Sequence, residues 1–203
     1  MPEKIKSSEV FSAISTVRLD WQKGIDVLLE AWSKVVAQEK NLKLLILGRG
    51  PLESELKELG KSLEIMDSVK FVGSVNDPEY YLRISEIFVL PSRAEGMSNA
   101  LLEAMVIGLS CIATNISGNK ELISDNGRQA VSEGKFIIGQ RGILVNPDDV
   151  KGLVEAILYL IRNERAREEL GKKARKFIQE NYSIDLIADK YLALYRRMMG
   201  RKL

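Results

Sequence analysis

Short apolar, β-branched runs recur along this chain with longer segments of helical period between them, and that alternation leaves few folds open. The runs are VFSAIS near residue 10, LKLLIL near 42, VKFVG near 69, IFVLP near 87, SCIAT near 110 and RGILV near 141. They predict about six strands, with helices between most of them. The first intervening segment carries Ile25, Leu28, Leu29, Trp32, Val35 and Val36, a spacing that turns one face of a 3.6-residue helix toward a sheet. The next follows Pro51 in GRGPLESELKELG, where proline suits a first helical turn. Strand, helix, strand in series predicts parallel pairing through right-handed crossovers, hence an open α/β sheet covered on both faces. Ligands of such sheets sit beyond the carboxyl ends of the strands, so the loops after the strands are the places to search.

From about residue 148 the pattern becomes purely helical, through DDVKGLVEAILYLIRNERAREELGKKARKFIQ and SIDLIADKYLALYRRMM. These segments read as packing helices. Residues 124–140, SDNGRQAVSEGKFIIGQ, show no clear period and read as a long loop. A chain of 203 residues that is 45% hydrophobic suits one large domain, placed here at residues 10–203 with residues 1–9 as a linker remnant.

Composition narrows the chemistry. Thirty basic against twenty-eight acidic residues give a formal charge of +2, too small to suggest a nucleic-acid surface. Cys111 is the only cysteine, inside the apolar run SCIA, so it reads as buried packing and no intrachain disulfide can form. No stretch approaches the roughly 20 consecutive apolar residues of a membrane span, and MPEKIKSSEV lacks an apolar signal core. A cytoplasmic chain is expected. There is no histidine, which removes the commonest general base and metal ligand.

Three loops carry residues suited to chemistry. In TVRLDWQKG, Arg18 and Lys23 lie five positions apart after the first run and could hold a diphosphate, or could be solvated surface charges. In GRGP, Gly48 and Gly50 permit close backbone approach, but Glu53 stands where a dinucleotide fingerprint needs a third glycine. In AEGMSNALLEAM, the loop Glu95, Gly96, Met97, Ser98 and Asn99 enters an apolar helix with Ser98 or Asn99 as candidate cap. The free amides at such a helix start attract an anion, most simply a phosphate. If the whole stretch were helical, Glu95 and Glu103 would stand about 12 Å apart along the axis, beyond the roughly 5–9.5 Å of paired glycosidase carboxyls. They suit the two ends of a long ligand such as a nucleoside diphosphate sugar, or else a turn and an exposed helix position.

Taken together, VRLDWQKGIDVLLEA, LKLLILGRGPLESEL, VKFVGSV, FVLPSRAEGMSNALLEAMVIGLSCIAT, SGNKELI and GILVNPDD resemble the donor-binding domain of retaining glycosyltransferases of the GT-B fold, glycosyltransferase family 4 (group 1). The resemblance spans nearly the whole chain. It implies a Rossmann-like half of a GT-B fold with a C-terminal helical extension. It also implies transfer of a hexose from a nucleoside diphosphate sugar, UDP- or GDP-linked, with retention and without a metal or other cofactor.

The same resemblance assigns the catalytic roles to Glu95, Arg18 and Lys23. Arg18 and Lys23 match the basic pair on the donor diphosphate. Glu95 and Glu103 match the ends of the family's E-x7-E motif, the first facing the transferred sugar and the second holding the ribose. Gly96, Met97, Ser98, Asn99 and Ala100 match the segment whose amides meet sugar and phosphates, while Gly48, Val72 and Gly73 match the surroundings of the base. No Asp-x-Asp pair occurs, so the leaving diphosphate would rest on Arg18, Lys23 and the helix start.

Departures from the family pattern include Met97-Ser98 in place of Phe-Gly, Ser117-Gly118 in place of a double glycine, and Lys120 in place of proline. The family's acceptor-binding domain, usually N-terminal, is not represented in this sequence. The expectation is therefore a donor domain with little activity of its own, partnered by that domain, reaching the inner membrane face only through a full enzyme. The alternative is a non-catalytic nucleotide-sugar-binding subunit or sensor.

Overall fold

A computed structural model describes residues 10–125 and 130–200. The chain alternates strand and helix through β1 (Phe11–Thr16), α1 (Ile25–Val36), β2 (Leu42–Leu47), α2 (Glu53–Ser62), β3 (Val69–Gly73), α3 (Pro78–Arg83), β4 (Ile87–Leu90), α4 (Asn99–Ile107), β5 (Ser110–Thr114) and α5 (Ser117–Ile123). It closes with β6 (Phe136–Ile138), β7 (Ile143–Val145), α6 (Val150–Arg162), α7 (Glu164–Asn181) and α8 (Ile184–Met198). One seven-stranded sheet results, in the order β3-β2-β1-β4-β5-β7-β6.

All pairs are parallel except β6 with β7. Among the described residues the sheet has seven strands where about six were expected, and the antiparallel strand corrects one expectation: residues 136–138 of the supposed 124–140 loop are a strand. Three residues at a sheet edge are too few to display a period, which is why FII is invisible to pattern reading. Pro51 also proves to lie in the turn before α2, which begins at Glu53.

Side-chain alternation along the strands divides the core in two, because successive strand residues face opposite sides. Ala13, Ile87, Val89, Ile112, Ile143 and Val145 pack beneath α1, α2 and α6. Their neighbours Ile14, Phe88, Leu90, Cys111, Ala113 and Leu144 pack beneath α3, α4, α5 and α7. Trp32 of α1 is fully buried in the first layer and donates its indole N–H to Ser68 Oγ at 3.1 Å. A large side chain buried this way stabilises by about 1.5–3 kcal/mol, and the hydrogen bond keeps its polar atom from opposing that gain.

The helical tail divides as well. In α6 and α7, Leu153, Ile157, Leu160, Ala174 and Ile178 are buried, as packing helices require. In α8, Tyr191, Leu192, Leu194, Tyr195 and Met198 are exposed, so this helix does not pack on the domain as the sequence pattern suggested.

The strand order decides where a ligand can enter. From β1 the chain winds outward to β2 and β3, then returns to place β4 on the other side of β1. The loops after β1 and β4 therefore diverge to opposite faces and leave a crevice at their carboxyl ends, the topological switch point of an open α/β sheet.

Candidate active site

Two loops meet across that crevice. After β1, Asp20 caps the 3-10 turn Trp21–Lys23 by accepting from Gln22 N at 3.1 Å. This turn aims Lys23 at the loop after β4, where its Nζ donates to Glu95 Oε1 at 2.7 Å. Ser92 Oγ donates to the same oxygen at 2.9 Å. The Glu95 side chain is 9% exposed and that of Lys23 21%, so the pair sits in a partly desolvated wall where a charge-assisted bond is stronger than on the surface.

A buried polar chain stands behind Glu95. Asn119 Nδ2 donates to Thr114 Oγ1 at 3.1 Å, and Thr114 Oγ1 donates to the carbonyl of Ser92 at 2.6 Å. It links α5 and β5 to the serine that holds Glu95. Motif reading missed Ser92, Thr114 and Asn119, which announce themselves only through burial of polar side chains.

The loop 95–98 is shaped from two sides. Ser98 caps α4, its Oγ accepting from Leu101 N at 3.4 Å, so serine replaces the family glycine with a side chain that terminates the helix. The first amides of α4, those of Asn99 and Ala100, lack intrahelical acceptors, as at any helix start. On the other side, a Cβ built on Gly118 would lie 1.3 Å from Gly96 O. Only glycine lets α5 approach the loop so closely. The far end of α5 is fastened by the buried Arg141, whose Nε donates to Leu122 O at 2.6 Å.

Arg93 is a fourth residue that pattern reading missed. Its Nη1 and Nη2 grip Asp26 Oδ1 and Oδ2 at 3.0 and 2.7 Å, its Nε donates to Asp148 at 2.7 Å, and Nη1 donates to Trp21 O at 2.7 Å. Burial would push the Asp26 carboxyl up, but hydrogen bonding and charge from Arg93 outweigh it and hold the pKa below its ordinary value. The hydrogen bond to Asp26 outweighs the burial that would lower the Arg93 pKa, and raises it.

The remaining predicted residues divide between a second compartment and its surroundings. A cleft of about 360 Å³ is lined by Thr16, Arg18, Gly48, Arg49, Gly73, Ser74, Ala100 and Glu103, among others. Gly48 has φ +121°, and a Cβ there would lie 1.9 Å from Val17 O, so β1 and β2 can converge on the cleft floor only through glycine. Gly48 N donates to Gly73 O at 2.8 Å, joining the floor to β3. Arg18 is 73% exposed, with its Nε 3.7 Å from Asp20 Oδ2, and stands at the cleft mouth. Glu103 is an exposed residue, yet partial burial strips enough hydration from its carboxyl to push the pKa up. Val72 packs against the second core layer and does not belong to the cleft lining. Met97 is 52% exposed over the loop between the two compartments.

Lys23 and Glu95 are thus brought together at one end, Arg18, Gly48, Gly73, Ala100 and Glu103 at the other, with the start of α4 between them. Cys111 is buried, and that burial pushes its thiol pKa up, which leaves it inert. Among the described residues no group of three or more His, Cys, Asp or Glu is placed to hold a metal, and no helix is long and apolar enough to cross a membrane.

The fold and this two-compartment cleft define a Rossmann-like half of a GT-B fold, the class of the glycosyltransferases. Residues 2–177 match the family model of glycosyl transferases group 1, and the chain belongs to that family. It is 31% identical over 189 residues to an uncharacterized glycosyltransferase of Haemophilus influenzae, covering 93% of this chain and 50% of that protein. It is 29% identical over 173 residues to N-acetyl-alpha-D-glucosaminyl L-malate synthase of Bacillus anthracis, covering 85% of this chain and 42% of that one. Among solved structures it is similar to S. aureus TarM in complex with Fondaparinux, alpha-GlcNAc-glycerol and UDP, with a TM-score of 0.79 and 25% identity over 94% of this chain and 37% of TarM. The chain spans about half the length, or less, of the proteins it matches.

Proposed function

We propose that this chain is the donor-binding half of a retaining glycosyltransferase that transfers a hexose from a nucleoside diphosphate sugar. The observation that carries the reading is the convergence, at the switch point, of a Lys23–Glu95 pair at 2.7 Å and a cleft holding Arg18, Gly48 and Glu103, with the start of α4 between them. Three chemically distinct stations in a row suit a sugar, a diphosphate and a nucleoside. The relatives agree in kind: TarM was solved with UDP, and the Bacillus anthracis relative is named for an N-acetylglucosaminyl product.

On this reading the donor lies across the ends of β4, β1, β2 and β3. Glu95 faces the transferred sugar and accepts from its hydroxyls. Lys23, Arg18 and the amides of Asn99 and Ala100 take the charge of the diphosphate, which grows as it departs, so they lower the barrier by stabilising charge that develops in the transition state. Glu103 accepts from the ribose hydroxyls, and Gly48, Arg49 and Gly73 form the base end. The acceptor and the remaining half of the catalytic cleft belong to a second domain, without which transfer by this chain is feeble.

Calorimetric titration in chelator with UDP, GDP, ADP and their glucose or mannose conjugates tests the reading. Binding of one nucleotide series, weakened in Glu103→Ala, is the expected result. Absence of binding by every member at millimolar concentration sinks it.

A further inference from the structure

Arg93 makes four side-chain hydrogen bonds beside the site, and none of them is to a residue expected to touch a ligand. Its guanidinium is engaged on every nitrogen: Nε by Asp148, Nη1 by Asp26 and Trp21 O, Nη2 by Asp26. It also lies 5.0 Å from the centre of the Trp21 ring, and its main-chain N–H donates to Gln22 O at 2.7 Å. With a side chain only 11% exposed, it is held as a buried cation between two carboxylates.

The placement of these contacts matters more than their number. Trp21 and Gln22 are in the 3-10 turn that ends at Lys23. Arg93 itself stands two residues before Glu95 in the loop after β4. The two members of the Lys23–Glu95 pair thus hang from two segments that Arg93 ties edge to edge. Its other ties run to Asp26 in the first turn of α1 and to Asp148 after β7, a non-glycine residue at φ 59°. Such a left-handed residue costs energy and persists only where its surroundings hold it. The arginine fork supplies donors in a fixed plane that a single ammonium cannot imitate.

We propose that Arg93 is a positioning residue: it clamps the loops after β1, β4 and β7 so that Lys23 and Glu95 are held at the spacing a sugar diphosphate requires. The proposal rests on the donor-site reading above. It adds a residue with no ligand contact that governs one end of the donor and leaves the other untouched. Glu103, Gly48 and Gly73 belong to α4, the end of β2 and β3, and the Arg93 contacts above run instead to the 3-10 turn, α1 and Asp148, so the nucleoside end is expected to stay in place when the clamp is removed.

The test compares wild type, Arg93→Ala and Arg93→Lys in titrations with UMP, UDP and UDP-glucose and with the guanosine counterparts, beside high-resolution structures of wild type and Arg93→Ala. Monophosphate affinity is expected to hold within about twofold. Diphosphate and sugar-conjugate affinity is expected to fall about tenfold or more in both variants, since a displaced Lys23 forfeits a charge-assisted contact. In Arg93→Ala/Glu95→Gln the losses should add to less than the sum of the singles, the mark of coupled residues.

Equal losses for monophosphate and sugar conjugate, or full rescue by lysine, overturn the clamp. If wild type binds no nucleotide, the donor reading falls, and the structures judge the clamp separately: a Lys23–Glu95 contact unchanged in Arg93→Ala overturns it, a broken one supports it. Should Arg93→Ala not fold, Asp148→Asn removes one arm at an exposed carboxylate and is held to the same outcomes at smaller amplitude.

Discussion

The two ends of the cleft are built differently. At the Lys23–Glu95 end the side chains hold one another: Glu95 is held by Lys23 and Ser92, Ser92 O by Thr114, Thr114 by Asn119, and Arg93 by three partners. At the other end Arg18 and Arg49 are exposed, Glu103 holds an elevated pKa, and the floor is glycine backbone. A site whose groups are fixed beforehand loses little on reorganising during reaction, so the tied end suits the bond that breaks. The open end suits recognition, where exposed side chains can adapt to what they bind.

That contrast can be broken at graded cost. The largest effect is expected from Lys23→Ala, which removes a charge-assisted bond of about 1.5–3 kcal/mol and leaves Glu95 without its cation. Diphosphate affinity in calorimetry should drop about ten- to a hundredfold, with nucleoside affinity nearly unchanged. A uniform drop for nucleoside and diphosphate alike would show that the two ends are not separable.

Gly118→Ala acts on the tied end through packing. The new methyl collides with Gly96 O, and overpacking of this kind costs about 1–3 kcal/mol. For a domain of this size that amounts to a fall of roughly 2–4 °C in Tm per kcal/mol, accompanied by weaker binding of sugar conjugates. Unaltered thermal unfolding would mean that α5 can step back without disturbing the loop.

At the open end the changes are smaller. Arg18→Ala should weaken diphosphates about three- to tenfold and nucleosides hardly at all, in keeping with one solvent-screened charge-assisted contact. Glu103→Ala should weaken every ribonucleotide by about fivefold, one hydrogen bond's worth. The pH dependence has a definite sign. Burial disfavours the charged form of Glu103, so its carboxyl takes up a proton at higher pH than the ordinary value of 4.5. Nucleotide affinity should therefore decline as pH falls through that raised pKa, and the decline should vanish in Glu103→Gln. The same shift makes the charged carboxylate a slight burden on stability at neutral pH, relieved on acidification. Arg49→Ala, at the rim beside Gly73, should change affinity by about two- to threefold while altering the preference among bases.

Much of the frame was legible before any coordinates. The β-branched runs near 10, 42, 69, 87, 110 and 141 became β1 to β5 and β7, because burial on both faces of a parallel sheet demands continuous apolar runs. Gly48 was legible because close backbone approach has one chemical solution. The cap was legible to within one residue, Ser98 or Asn99, since either side chain before an apolar helix has a local partner, and the structure gives it to Ser98. The tail was misread at α8: an apolar helical period predicts a buried face without saying what buries it, and among the described residues Tyr191, Leu192, Leu194, Tyr195 and Met198 stay exposed.

By itself, then, the sequence determined what depends on neighbours along the chain: strand and helix periods, a cap at Ser98 or Asn99, the parallel α/β class, and through motif order the family. Only the tertiary structure decided which distant residues meet. Lys23 and Glu95 are 72 positions apart, and Arg93 reaches Asp26 and Asp148 across 67 and 55. No periodicity encodes such pairs. Their partners are chosen by the strand order that folds β4 back beside β1, and their strength comes from burial that exists only once the loops have closed over them.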